Sequence, residues 1–252
     1  MSKEVLLTTY KAIGQSILNY GCPIWTPALS KTHWENLQTC QNAGLRTALG
    51  CVKMTSTDHL HAEAKIMPVK DHCCMITEQF LLATQKPEHP NQINIFAPRP
   101  PRVMKNTIKE AYSANIQHLV QEDGISDAEY KAGLKTIHTK YVAETILNQQ
   151  NNKVLNSPPP TIHISEKSLP RKTRVILSQL RSNYSTYLNS YMSRIDEKII
   201  NECPDCKESP HDTQHLFNCT EKPTILTTYS LWTQPREAAL HLGLEVEEEE
   251  VT

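Results

Sequence analysis

The run Cys203-Pro204-Asp205-Cys206, followed by His215 and Cys219, constrains this chain more than any other feature. Two cysteines two residues apart form a knuckle that presents both sulfurs to one cation. His215 and Cys219 are four apart, so a single helical turn places them on one face. Together they form a Cys3His set, a usual arrangement for tetrahedral structural zinc. Four protein ligands close the shell to water, which makes such a zinc structural rather than catalytic. The roughly 35 residues around the motif carry too little apolar mass to fold unaided, and zinc can supply about 10 kcal/mol or more to such a module. His211 is a rival ligand at a different spacing. His215 is preferred because His211 follows Ser209-Pro210 in a turn, which leaves His211 for a partner or for contact with a ligand.

The rest of the 252-residue chain reads as helical. Gly is scarce at 7, Pro plentiful at 16, and Phe and Trp number 3 each. That argues against an all-β sandwich or barrel, which needs many tight turns. Apolar runs are too short for a transmembrane helix, so no membrane partner is expected. The N-terminus lacks a signal-peptide h-region, so a reducing compartment is expected, with the eight cysteines as thiols or metal ligands. Cys22, Cys40 and Cys51 read as small core residues, and Cys73 and Cys74 point apart on a helix. His59 and His61 read as solvated or core histidines. The chain has no P-loop, GxGxxG, GxSxG or HExxH pattern.

Hydrophobic spacing predicts a small four-helix bundle over 1–86: 3–20, broken at Gly21-Cys22-Pro23; 32–50, capped by Thr32 and ended by Gly50; Asp58 to Ile66, with Asp58 as cap; and Pro68 to about Thr84. Residues 87–168 read as linker with irregular helical segments. They comprise a Pro-rich stretch, a modestly amphipathic helix at 103–122, a polar stretch over 123–152 and Asn156-Ser157-Pro158-Pro159-Pro160. Residues 169–235 read as a long basic helix, 169–200, plus the zinc knuckle, and 236–252 as an acidic tail. The formal charge of −1 is then a cancellation between the basic segment and the tail. Between Leu169 and Ile195 the chain has five basic residues and no acidic one. Arg171, Lys172, Arg174 and Arg181 are the candidate phosphate contacts, and Tyr184, Tyr187 and Tyr191 lie either in the core or against bases.

The segments LLTTYKAIGQSILNYGCPIWTP, HWENLQTCQNAGLRTALGC, DHLHAEAK, LPRKTRVILSQLRSNYSTYLNSYMSRI and CPDCKESPHDTQHLFNC together resemble the C-terminal part of a jockey-like non-LTR (LINE-type) retrotransposon polyprotein. The resemblance covers roughly 1–85 and 165–235. It implies that the first segment corresponds to the helical thumb after a reverse transcriptase palm. It also implies a terminal zinc knuckle ligated by Cys203, Cys206, His215 and Cys219. An RNA-directed DNA polymerase of that family carries its metal-binding aspartates in a Tyr/Phe-Ala-Asp-Asp motif, and this chain has no adjacent Asp pair. A truncated, non-catalytic portion is therefore expected. Its partners would be RNA or DNA (element RNA, target DNA) and the remaining polyprotein, in cytoplasm and nucleus. A protein-interaction fragment and a non-functional remnant are the alternatives.

Overall fold

The computed structural model describes residues 2–97 and 107–246. Within them the chain is mainly helical, with no strand beyond one isolated bridge between Gln121 and Gly124. The helices are α1 Lys3–Thr9, α2 Ser16–Asn19, α3 Cys22–Trp25, α4 Lys31–Leu49, α5 Thr57–Ala64, α6 Val69–Ala83, α7 Ile108–Ile116, α8 Asp127–Leu147, α9 Arg171–Arg181, α10 Asn189–Met192, α11 His215–Asn218, α12 Ser230–Thr233 and α13 Pro235–His241. They divide into two compact units, each drawn from separated stretches. One takes the described parts of Met1–Tyr10, Asn42–Ile66 and Gln149–Thr252; the other takes those of Lys11–Gln41 and Met67–Asn148. Boundaries at 86 and 168 do not follow this division, because both units recruit residues from 1–86.

The first unit holds the metal motif. Its larger core gathers Leu169, Leu177 and Leu180 with Leu188, Phe217, Leu231, Trp232 and Ala238. A smaller cluster joins Leu45, Leu49, Leu60 and Ile66 to Leu7 and Tyr10. Gly50 ends α4 as expected: its φ of +74° is left-handed, and a Cβ there would lie 2.6 Å from a methyl of Val175. The caps of α4 and α5 fall earlier than expected. The hydroxyls of Ser30 and Ser56, not Thr32 and Asp58, accept the backbone N–H groups of His33 and His59.

The long basic helix over 169–200 is the main local correction. It stops at Arg181. Asn183 takes a left-handed φ of 60°, its N–H bonds the Leu180 carbonyl, and the Tyr184 N–H bonds the Gln179 carbonyl. This is a Schellman stop, with Asn in the role usually filled by Gly. The chain then turns, and only α10 resumes helix. The stretch Asn156-Ser157-Pro158-Pro159-Pro160 is pinned at its start: the Asn152 N–H bonds the Ser157 carbonyl at 2.9 Å and the Asn156 N–H bonds the Asn152 carbonyl at 2.8 Å. Asn152 accepts the N–H groups of Val154 and Leu155 and donates to the Arg181 carbonyl, and Val154 is buried. The acidic tail is folded through its first part, with Ala238, Ala239 and Leu242 in the core. Residues 247–252 lie outside the described residues.

The second unit is built on α6, α7 and α8 around Leu81, Leu82, Ile116, Ile137 and Tyr141. The polar stretch over 123–152 contains α8, the longest helix. It opens with a capping box in which Ser126 and Glu129 exchange hydrogen bonds. Gly133 lets α8 approach α6, since a Cβ would lie 2.6 Å from a Leu82 methyl. The Pro-rich stretch is not a free linker up to Ala97: Gln85 holds the carbonyl of Ile93, and Ile95 is buried. Its part over 98–106 lies outside the described residues. α2 and α3 pack Leu18, Cys22 and Trp25 near Trp34, Val69 and Cys73. The turn before α2, Tyr10–Gln15, is wound as a π-helix. Ile13 and Ile17, within the expected helix over 3–20, are exposed.

Candidate metal centre

Backbone geometry gathers the four candidate ligands. The Cys203 N–H bonds the Glu208 carbonyl at 2.8 Å and the Lys207 N–H bonds the Cys203 carbonyl at 3.0 Å. These bonds close a tight turn in which Lys207 adopts a left-handed φ of 64°. On the other side, the Asp212 carboxylate accepts the His215 N–H at 2.9 Å and sets the start of α11, with Cys219 following its last residue. The metal loop is anchored to the end of α9: the Thr213 hydroxyl donates to the Leu180 carbonyl and the Thr213 N–H to Asn183.

The donor atoms of Cys203, Cys206, His215 and Cys219 all lie within 4.8 Å of one another, the one such group among the described residues. The Cys203 and Cys219 sulfurs are 3.8 Å apart, and Cys206 Sγ lies 3.2 Å from His215 Nε2. A tetrahedral zinc with ~2.3 Å bonds to sulfur and ~2.0 Å bonds to nitrogen requires edges of about 3.8 Å and about 3.5 Å. These two edges match those dimensions to within a few tenths of an ångström. Cys203 and Cys219 are buried, while Cys206 and His215 face partly outward.

The electrostatics suit a cation. Burial pushes the Cys203 thiol up, but the backbone N–H groups of Cys206 and Asp205, with His215, outweigh it and bring the thiol down to about 7. Burial and the neighbouring sulfurs push Cys206 up to about 11. One sulfur is thus poised to ionise and a second resists joining it, a repulsion that a divalent ion removes. His211 lies outside this group of four. It is buried, its Nδ1 accepts the Asn189 N–H at 3.1 Å, its carbonyl takes the Ser190 N–H, and its ring meets His215 edge-on at 6.1 Å. It braces the ligand loop.

The four candidate phosphate contacts fare differently. Arg181 is fully buried. Its guanidinium donates to Glu63 at 2.8 Å, to Glu166 and to the Leu231 carbonyl, and lies 5.6 Å from the Trp232 ring centre. Lys3 completes a quartet of two cations and two carboxylates, 2.7 Å from Glu63 and 3.4 Å from Glu166. Arg174 is buried in a two-pronged pair with Glu4. Both are therefore corrections: these arginines tie the unit together and do not face a ligand. Arg171 is half-buried and donates to the Ala48 carbonyl at 3.2 Å. Lys172 alone is exposed, 3.6 Å from Glu245. Sequence spacing put arginines on one helical face but could not show carboxylates from residues 4, 63 and 166 folding onto it.

The remaining residues sort as follows. Tyr184 packs edge-on with Tyr191, and Tyr187 stays exposed with its hydroxyl on the Leu242 carbonyl at 2.7 Å. His59 and His61 are buried. Cys22 and Cys51 are core residues or nearly so, whereas Cys40 is exposed. Cys73 and Cys74 diverge: Cys73 faces Leu18 and Asn19, and Cys74 accepts the Tyr112 hydroxyl. No helix among the described residues is long and apolar enough to cross a membrane. No protein-family model matches the chain, and neither the curated proteins nor the solved structures compared with it give a match.

Proposed function

We propose that this chain is a zinc-stabilised nucleic-acid-binding protein without polymerase chemistry of its own, corresponding to the thumb and zinc-knuckle portion of a non-LTR retrotransposon reverse transcriptase. The observation that carries the zinc part is the convergence of the donor atoms of Cys203, Cys206, His215 and Cys219 to within 4.8 Å of one another. The nucleic-acid part is supported by the resemblance of the segments around that motif to the retrotransposon polyprotein. Because Arg174 and Arg181 are committed to carboxylates, phosphate contact falls to exposed cations of the same unit: Lys172, Arg194, Lys198, Lys207 and Lys222. If three of them neutralise phosphates, affinity for single-stranded RNA falls ~20-fold between 50 and 200 mM salt. The test is one zinc per chain by elemental analysis, together with fluorescence anisotropy on labelled single-stranded RNA at both salt concentrations. Absence of zinc, or affinity unmoved by salt, sinks the reading. A primer-extension assay on the chain alone should give no product.

A second reading, a protein-interaction fragment, is favoured by one feature of the other unit. Ile13, Ile17, Tyr20 and Ile24 are exposed beside an uncharged groove bordered by Trp25, Leu29 and Leu37. Ile17→Glu separates the two readings: it should abolish a protein association and leave RNA affinity unchanged.

A further inference from the structure

A cleft of about 690 Å³ opens beside the metal cluster, entirely within the first unit. Its size lies in the range of small-ligand sites. Tyr187 lines it, 43% exposed and with its hydroxyl held on the Leu242 carbonyl. An exposed aromatic ring anchored through its hydroxyl can serve as a stacking platform for a flat heterocycle. The knuckle, Cys203 to Asp205, lines it as well, and Leu216 and Leu240 supply apolar surface. The only charged residues lining the cleft apart from the cluster are Asp205 and Lys222, paired with each other at 2.7 Å. That pair is exposed on the Lys222 side, so it contributes little and opens readily. Once open, it offers a carboxylate acceptor for ring N–H groups and an ammonium for a phosphate. The zinc-loaded Cys3His cluster carries a net charge of about −1, so a multiply charged anion would be repelled, whereas a neutral ring with one phosphate at the rim is accommodated.

From this we infer that the cleft captures one unpaired nucleobase of a single strand, stacked on Tyr187, with Lys222 on the adjoining phosphate. The inference rests on the nucleic-acid reading above and adds to it where a base is held. The test uses the zinc-loaded full chain and a short oligouridine carrying one 2-aminopurine, whose fluorescence falls on stacking. The wild-type chain should quench the probe. Y187L should leave it bright and weaken binding roughly tenfold, a typical loss for one stacked base. Y187F, which keeps the ring, should quench like the wild type. K222E, at an exposed position that cannot unfold the core, should weaken binding while zinc content stays at one per chain. Binding by the wild type with the probe still bright, or K222E and Y187L binding like the wild type, overturns the cleft and leaves the broader reading standing. No binding of any single strand overturns both.

Discussion

Replacing Arg181 with Met tests whether the basic residues of α9 are structural. The side chain is fully buried, and its partners Glu63 and Glu166 have side chains only 1% and 4% exposed. With Lys3 the site is neutral: two positive and two negative groups. Arg181→Met leaves two buried carboxylates against one ammonium and strips the Leu231 carbonyl of its donors. Breaking a buried pair from one side costs about 3–5 kcal/mol, a large part of the ~5–15 kcal/mol that holds an ordinary domain together. Adding Glu166→Gln restores neutrality between Lys3 and Glu63, and should recover ~1 kcal/mol or more through coupling within the network. Urea unfolding of the zinc-loaded chain, followed by tryptophan fluorescence, suits the question because Trp232 lies against the guanidinium. A single variant within ~1 kcal/mol of wild type, or a double variant no better than the single, would refute the reasoning. A phosphate-contacting Arg181 would instead lose RNA affinity at unchanged stability.

The same quartet sets a pH limit. Burial pushes the Glu63 carboxyl up, but Arg181 and Lys3 outweigh it and hold it well below the usual range. Its contribution is present above the unfolded value of about 4.3 and is lost as pH falls toward the folded one. The urea midpoint should decline from about pH 4.5 downward, and a flat profile to pH 3 would contradict this. Metal removal is a separate test: a chelator or Cys219→Ala should unfold the 203–219 loop, and zinc affinity should weaken with falling pH because three thiols must give up protons. Loop signals in the NMR spectrum that survive full zinc extraction would count against it. Gly50→Ala should cost ~1–3 kcal/mol, from its left-handed backbone and the crowding by Val175, read from the thermal midpoint. Tyr141→Phe should cost ~1–2 kcal/mol, since it removes a 2.8 Å donor from buried Glu78, and a neutral effect would mean that Glu78 finds another partner.

What could be read from the residues depended on how local the cause was. The Cys3His cluster was legible because two short spacings, within a turn and within one helical turn, nearly bring its four donors together. The end of α4 at Gly50 was legible for the same reason. α8 was missed because its apolar face is thin: Gly133, Ile137 and Tyr141 are its buried residues, and Gly133 shows no hydrophobicity at all. Its start was nevertheless written in Ser126 and Glu129. The break after Arg181 was missed because the apolar periodicity runs on past it, while the deciding residue, Asn183, carries only a weak left-handed preference. The cap on His215 was present as Asp212, three residues ahead. The fate of Arg174 and Arg181 was illegible in principle, since it is decided by carboxylates as much as 170 positions away.

Glu4 and Glu63 come from the first quarter of the sequence, yet they neutralise arginines borne by the part near its end that carries the Cys3His cluster, and Lys3 balances the remaining carboxylate, Glu166. Cutting the polypeptide near residue 149 to isolate the cysteine-rich portion would therefore strand Arg174 without its counter-charge and Arg181 with only one of two. Such a piece should be less stable than the whole chain even when saturated with zinc. Supplying the missing amino-terminal stretch as a separate peptide offers a route to restoring it.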